Sequence, residues 1–325
     1  MSMTRRVALA AALATLFSAG AADARQFKSS DVQGADQPVV KAVAYMGELM
    51  RQRSGGRLGI ADLGASDNDS EIFTVAQVRT GTQDMARVSM FALHSSVPAS
   101  VIPTVPFLFT STAHRRRVLD GPIGEELLTA LAEQDLVGLC FYDAGARSIY
   151  TAGRPVRTPA DMKGLRIRVQ AAPTMVEVVK ALGAVPVPSP YGQIRSLFAA
   201  GTIDAAENNL VSYYGARHFE VAKVYSVTEH AAPPAVVIFS KRIWDRLPAA
   251  DRQIIHQAAH DSVPYFHKLV DEQEAAARAA LAAQGVQFVS DIDRAAFVRL
   301  LTPLYPKLVP DPRHRALVER IQAVE

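Results

Sequence analysis

Polar side chains that could bind an anion stand at the ends of several apolar segments. Arg147 precedes SIYT, Arg168 lies within GLRIRVQ, Arg87 ends GTQDMAR, and Asn208 lies in GTIDAAENN. A guanidinium is a rigid fork that donates two parallel hydrogen bonds to a carboxylate, and an asparagine amide adds a donor and an acceptor. These residue types at strand ends predict a site for a carboxylate.

The segment GLRIRVQ (164–170) does not by itself say which arginine would serve such a site. Apolar and polar residues alternate in it, as in a β-strand, so Arg166 and Arg168 are expected to share one face. That face could meet a ligand or only water. Ion pairs with local acids are the competing interpretation, since they are common at strand ends, and the candidate acids are Asp143, Asp161 and Glu207.

The sequence lacks the common motifs for catalysis and cofactor binding. It contains no Gly-rich phosphate loop, no GxSxG and no HExxH, and His218 and His230 have no serine or cysteine in nucleophile context. His256 and His260 stand four residues apart, but without an evident third ligand we interpret them as surface histidines. No catalytic residue, metal or cofactor is therefore predicted, although paired carboxylates stay open because such pairs are long-range.

The composition is that of an ordinary globular protein. Of 325 residues, 49% are apolar and 21% are charged, and 35 basic against 32 acidic residues leave a formal net charge of +3. So small and scattered an excess does not indicate nucleic acid or an anionic membrane as a partner. The single Cys140 excludes an intramolecular disulfide and, within the apolar run LVGLCFY, is expected to be a buried strand residue.

The first 24 residues have the pattern of a secretory signal peptide. Arg5 and Arg6 precede an apolar run from Val7 to Phe17, and Ala22-Asp23-Ala24 forms an A-x-A cleavage site. A membrane anchor would need a longer apolar run. We therefore expect cleavage after Ala24 and a mature chain in the periplasm or outside the cell.

Helical and strand patterns alternate along the rest of the chain, which predicts α/β layers. The run LVGLCFY (136–142) is apolar on both faces and predicts a strand in the middle of a parallel sheet. Residues 249–284 predict a helix of about 50 Å, which Pro264 should kink or split. The echo between GTQDMAR (81–87) and GTIDAAE (201–207) is either a chance similarity of seven residues or the mark of two α/β units that present strand ends to a common crevice.

From about residue 30 to residue 290, the chain resembles the solute-binding proteins of tripartite ATP-independent periplasmic (TRAP) transporters, of the dicarboxylate-binding (DctP) family. The motifs that carry the resemblance occur in the family's order and are VPFLF (105–109), GARSIYT (145–151), MKGLRIRV (162–169), GTIDAAENN (201–209), YYGARHFEVAKVYSVTEH (213–230) and SKRIWDRL (240–247). The stretch from Glu207 to His230, with SKRIWDRL, is most similar to the branch that binds sugar acids such as uronates.

The resemblance implies an α/β, two-domain periplasmic binding protein fold, with a hinge, a ligand cleft between the domains and a long helix that spans both. Domain I would comprise residues 25–144 plus 234–273, and domain II residues 145–233 plus 274–325. The helical stretch 249–284 suits the spanning helix. The two domains are expected to close around the ligand as the hinge moves.

The resemblance also implies roles for individual residues. Arg168 matches the principal carboxylate-binding arginine, and Arg147 and Asn208 match residues that cap the same carboxylate. Tyr191 matches an aromatic residue that packs against the ligand, and Glu71 matches a glutamate that contacts hydroxyls in sugar-acid binders. A sugar ring needs further hydroxyl partners and an apolar face, which could come from Arg87, Gln193 and Tyr213.

The chain departs from the family pattern at several positions. Gln193 replaces the glutamate of a YGE motif, and DAAENN replaces DGAENN at 204–209. Gln33 stands where a His-Pro pair is usual, and the segment 61–71 lacks the usual spacing. Arg166 falls where relatives often carry lysine, which suits a solvated charge.

The expected function is capture of an organic acid, best a sugar acid such as a uronate, and its delivery to the small and large membrane subunits of a TRAP permease. Such a protein performs no catalysis and would act as a monomer. Alternatives from the same fold are binding of a C4-dicarboxylate or another small carboxylate, and service to a sensor kinase. A sugar-acid hydrolase or lyase is the alternative from another class.

Overall fold

The computed structural model describes residues 24–65, 70–143 and 145–325, and it describes 62–65 by their backbone alone. The predicted signal peptide lies outside the described residues except for Ala24. None of the helices in these ranges combines the length and the apolar character needed to cross a bilayer.

Eleven strands and twelve α-helices alternate along the described chain. The strands are β1 Arg25–Asp31, β2 Leu58–Ala65, β3 Met85–Ser89, β4 Leu136–Tyr142, β5 Arg147–Thr151, β6 Arg166–Val169, β7 Val185–Pro188, β8 Ala205–Asn208, β9 Val224–Ala231, β10 Ala235–Ser240 and β11 Gln287–Val289. The helices are α1 Pro38–Arg53, α2 Glu71–Thr80, α3 Thr112–Leu119, α4 Pro122–Ala130, α5 Pro173–Ala181, α6 Ile194–Ala199, α7 Leu210–Gly215, α8 Lys241–Trp244, α9 Ala249–Ala283, α10 Arg294–Leu301, α11 Tyr305–Leu308 and α12 Pro312–Gln322. Short 3₁₀ helices cover Met90–Leu93, Pro98–Thr104, Leu131–Gln134, Pro159–Met162, Tyr191–Gln193, His218–Glu220 and Thr302–Leu304.

The strands form two separate mixed sheets, which confirms the predicted α/β class. The first sheet has the order β2-β1-β3-β10-β4, and the second has the order β11-β9-β5-β8-β6-β7. All strands of the first sheet come from the segments assigned to domain I, and all strands of the second from those assigned to domain II. The exact boundaries of the two domains stay a prediction.

The expectation of a central parallel position for β4 is wrong. The strand pairs antiparallel with β10, and it stands at the edge of the first sheet. Its faces pack into two different apolar clusters, with Phe141 in one and Leu139 and Cys140 in the other. Burial on both faces therefore comes from packed helices and not from neighbouring strands on both sides. Cys140 is buried, as predicted.

Helix α9 runs without a break through 35 residues, which corresponds to about 52 Å. In its first half, Ile255 and Phe266 pack into an apolar cluster with residues of the first sheet. In its last turns, Ala277 and Leu281 pack into a cluster with residues of the second sheet. Pro264 does not split the helix. It lies on the exposed side, where water can hydrate the His260 carbonyl to which a proline cannot donate.

The echo between residues 81–87 and 201–207 is confirmed as a repeated structural unit. Asp84 accepts a hydrogen bond from the Lys28 N–H at 2.7 Å, and Asp204 accepts one from the Arg166 N–H at 2.9 Å. The strand that follows each aspartate, β3 or β8, pairs parallel with the strand it anchors, β1 or β6. Each unit thus brings a strand end to the space between the sheets.

Candidate functional site

A cavity of about 150 Å³ lies between the two sheets. Its volume is about ten times what one water molecule needs. Both sheets contribute to its wall, and six of the predicted site residues line it: Glu71, Arg87, Arg147, Arg168, Tyr191 and Asn208. The tertiary structure therefore gathers side chains that are as far as 137 positions apart in the sequence (from 71 to 208).

Arg168 projects from β6 into this cavity and is 2% exposed. Its Nε and Nη2 donate to the Ser189 carbonyl, at 2.9 and 2.5 Å. Its Nη1 is buried and makes no hydrogen bond within the described ranges. Burial lowers the pKa of the guanidinium. Nη1 and the second hydrogen of Nη2 therefore form a fork that still has its donors free.

Arg147, at the start of β5, is held by an acid. Its Nε and Nη2 donate to the Glu207 carboxylate, and Nη2 also donates to the Glu207 carbonyl at 2.8 Å. Burial by itself would raise the pKa of Glu207, but Arg147 and His230 outweigh it and lower that pKa to about 2. Arg147 therefore forms an ion pair with a local acid, Glu207, which was the competing interpretation of the strand-end arginines.

Arg87 in β3 is also held by acids. Its Nε donates to the Asp31 carboxylate at 2.7 Å, and its Nη2 donates to the other oxygen of Asp31. Its Nη1 lies 3.3 Å from Glu71. Burial lowers the pKa of Arg87 to about 10. Asp31 ends β1, and its polarity at a strand end was the signal in the sequence that could have identified it.

Glu71 begins α2 and lies between the two sheets. Its carboxylate accepts hydrogen bonds from the Ser89 N–H at 3.1 Å, from Arg87 and, across the cavity, from Nε2 of Gln170 at 3.2 Å. Burial raises its pKa to about 7, although the bond from Ser89 partly offsets this. Oε1 of Gln170 is buried without a hydrogen bond inside the described part of the chain, so it is an open acceptor.

Asn208 and Tyr191 complete the wall on the side of the second sheet. Oδ1 of Asn208 accepts from Nη1 of Arg147 at 2.8 Å. The Tyr191 hydroxyl donates to the Ser212 carbonyl at 3.0 Å, and its ring lies edge-on to His218. Both side chains are therefore fixed before any ligand arrives.

Tyr213 and Gln193 lie outside the cavity, and the two arginines of β6 have different environments. Tyr213 is fully buried in the domain that contains the second sheet, and its hydroxyl donates to the Ala222 carbonyl. Gln193 is exposed. Neither residue lines the cavity. Arg166 and Arg168 differ in environment, since Arg166 is exposed and pairs with Asp204 at 2.6 Å. The sequence reasoning also missed Gln170, which directly follows β6, and Ser89, which ends β3.

The arginines around the cavity do not all have a carboxylate partner. Asp31 and Glu71 pair with Arg87, and Glu207 pairs with Arg147, whereas Arg168 has no carboxylate partner within residues 24–65, 70–143 and 145–325. One buried guanidinium is therefore without a counter-ion in direct contact, and Glu71, whose pKa burial raises to about 7, does not supply one. Such a cavity is suited to bind one negative charge, because burying a cation without a partner is costly.

A family model described as bacterial extracellular solute-binding protein, family 7 (DctP), matches residues 29–310. A relative from Escherichia coli (strain K12), the 2,3-diketo-L-gulonate-binding periplasmic protein YiaO, is 32% identical over 79% of this chain and 78% of its own length.

Solved structures of TRAP periplasmic solute-binding proteins share the fold. One from Bradyrhizobium sp. BTAi1, in complex with α/β-D-galacturonate, is 45% identical, with a TM-score of 0.89 over 92% of this chain and 99% of its own. Another from Xanthobacter autotrophicus Py2, with bound β-D-galacturonate, is 39% identical, with a TM-score of 0.89 over 92% and 100%.

Proposed function

The chain belongs to bacterial extracellular solute-binding protein family 7, the DctP family of TRAP solute-binding proteins, and from this premise we propose that it captures a uronate by its carboxylate. The galacturonate in the two similar structures supports a sugar acid as the ligand. The relative named for 2,3-diketo-L-gulonate supports the same chemical class.

The observation that carries the proposal is the unpaired fork of Arg168. A carboxylate that accepts from Nη1 and Nη2 would satisfy the buried donor that now has no described partner and would give the Arg168 guanidinium a counter-ion. Arg147 and Asn208, fixed beside each other, would cap the same carboxylate. These three residues form the proposed anchor.

A single guanidinium without a carboxylate partner favours a monocarboxylate over a C4-dicarboxylate. A second carboxylate would need a second free guanidinium, but Arg87 is already held by Asp31 and Glu71. A neutral end with hydroxyls fits the rest of the cavity better. The open acceptor of Gln170 and the carboxyl of Glu71 would bind hydroxyls, and Tyr191 would pack against the ring.

The protein would act by binding and delivery and not by catalysis. The two lobes, with the domain boundaries proposed from the sequence, would close around the acid and then present it to the small and large subunits of a TRAP permease. Export through a signal peptide cut after Ala24 would place the mature chain in the periplasm.

A thermal-shift screen tests the proposal. We expect D-galacturonate or D-glucuronate to raise the melting temperature, because a ligand that binds only the folded state stabilises it by about 2.7 kcal/mol at a hundred times its Kd. Galactose, which lacks the carboxylate, is the matched control and should have no effect. A shift with succinate and none with uronates would overturn the monocarboxylate assignment, and recovery of a chemically altered acid would show an enzyme.

A further inference from the structure

We infer that Glu125, His256 and His260 form a binding site for a divalent transition metal ion on the outer face of α9. One ligand atom from each of the three side chains lies within 4.8 Å of the other two. None of them lines the cavity between the sheets. The site is therefore separate from the proposed sugar-acid site and does not rest on it.

The histidine pair arises from the helix itself. His256 and His260 are four residues apart in α9, so they lie on the same face one turn apart. Their ring centroids are 4.6 Å apart. Glu125 comes from the first turn of α4, a separate helix, and this tertiary contact supplies the third ligand that the sequence does not show.

The spacing suits a tetrahedral metal. Bonds of about 2.0–2.1 Å to nitrogen and oxygen place neighbouring ligand atoms about 3.3 Å apart in a tetrahedral zinc site. Nε2 of His260 lies 3.3 Å from Oε1 of Glu125. The same nitrogen is shielded from solvent and makes no hydrogen bond to the described residues, so its contact with Glu125 does not already use it as a donor or an acceptor of a well-aligned hydrogen bond.

The ligand set selects the class of metal. Two imidazoles and one carboxylate bind Zn²⁺ and its neighbours in the first transition row, whereas Mg²⁺ and Ca²⁺ prefer oxygen ligands throughout.

A bound metal would cross-link α4 to α9. His267, further along α9, lies 4.0 Å from Asp120 and is outside the cluster. A simple ion pair between Glu125 and a protonated histidine is the competing explanation for the cluster, and it predicts no affinity for metals.

Calorimetric titration of zinc into the full chain, produced without a histidine tag and freed of metal by a chelator, tests the inference. We expect one Zn²⁺ per chain and a rise in melting temperature, with no response to Mg²⁺. His256→Gln, His260→Gln and Glu125→Gln should each weaken zinc binding at least tenfold. His267→Gln removes an imidazole from the same helix and should leave zinc binding within about twofold.

Each result of these titrations either supports or overturns the metal site. Absence of zinc binding by the wild-type chain overturns the inference, and so does binding that survives both His256→Gln and His260→Gln. If a variant unfolds, intense visible bands of tetrahedral Co²⁺ bound to the wild-type chain still report the site, and their absence overturns it. Galacturonate affinity measured alongside should not depend on zinc.

Discussion

At the scale of single residues, the three arginines that line the cavity differ in their hydrogen-bond partners. Arg87 and Arg147 are neutralised by Asp31 and Glu207, whereas Arg168 donates only to the Ser189 carbonyl. Of the three, only Arg168 has a guanidinium that is not already paired with a carboxylate in the described residues. This difference, and not the residue type, makes Arg168 the central residue of the proposed anchor.

Arg168→Lys should weaken galacturonate binding by about 1.5–3 kcal/mol, because an ammonium keeps the charge but loses the planar fork. Isothermal titration measures the change. Arg166→Ala, two residues away in the same strand, is the matched control and should stay within about a factor of two, since its ion pair with Asp204 is exposed. Equal losses in both variants would contradict the anchor assignment.

Glu71 should make stability depend on pH. Burial raises its pKa from 4.5 to about 7, so the folded state binds a proton more tightly than the unfolded state does. Its contribution is then fully present below about pH 4.5 and is lost as the pH rises through about 7. Glu71→Gln removes this loss and should gain about 1–3 kcal/mol relative to wild type between about pH 5 and about pH 8.

Urea denaturation of the wild type and of Glu71→Gln, at about pH 5 and at about pH 8, measures that gain in the free energy of unfolding. A difference between wild type and Glu71→Gln that is the same at both pH values would show that the pKa of Glu71 is not raised in the folded protein.

At the scale of elements, the two echoed segments anchor strands in the same way and carry opposite charges at their last positions. Arg87 ends one segment and pairs with Asp31, and Glu207 ends the other and pairs with Arg147. The repeat therefore preserves the backbone device, a glycine and an aspartate before a strand, while the side chains at the cavity differ.

Asp84→Ala should destabilise the fold by about 1–2 kcal/mol, because it removes the charge-assisted acceptor of the Lys28 N–H in the middle of β1. Asp245→Ala, which breaks only an exposed pair with Lys241 one helical turn away, should change stability by less than about 0.5 kcal/mol. Chemical denaturation gives both values. Loss of uronate affinity without loss of stability in Asp84→Ala would argue against a purely structural role.

At the scale of the whole molecule, hydrogen bonds join the two lobes around the cavity. Gln170 donates to Glu71 across it, and the Thr174 hydroxyl lies 3.0 Å from Nδ1 of His94. Burial lowers the pKa of His94 to about 4, so the ring is neutral. Nε2 of His94 lies 3.2 Å from the Thr104 hydroxyl. That hydroxyl donates its own proton to the Val101 carbonyl, so the His94 ring donates to Thr104 and accepts from Thr174.

Thr174→Val should therefore weaken uronate binding by about 0.5–1.5 kcal/mol although Thr174 does not line the cavity. The isosteric change deletes a bond between the lobes and shifts the equilibrium away from the closed form. Titration calorimetry gives the affinity, and small-angle scattering with and without ligand gives the closure. Thr80→Val, on the exposed surface, is the control, and unchanged affinity in Thr174→Val would refute this role of the contact.

The sequence by itself determined the alternation of helices and strands, the α/β class, the spanning helix and the family. These follow from local periodicity and from motifs that are contiguous along the chain. It also identified six side chains that line the cavity, because polar residues at strand ends are exceptional in otherwise apolar segments.

Only the tertiary structure decided the partners of those side chains. In the folded chain, Arg87 donates to Asp31, and Nη1 of Arg168 makes no hydrogen bond to the described residues. Gln170 lines the cavity, and Glu125 lies close to His256 and His260. Tyr213 and Gln193 do not line the cavity, contrary to expectation, and β4 lies at the edge of its sheet and not in the middle. The physical reason is the same throughout: pairing, charge balance and burial depend on contacts between segments distant in sequence, which local patterns do not encode.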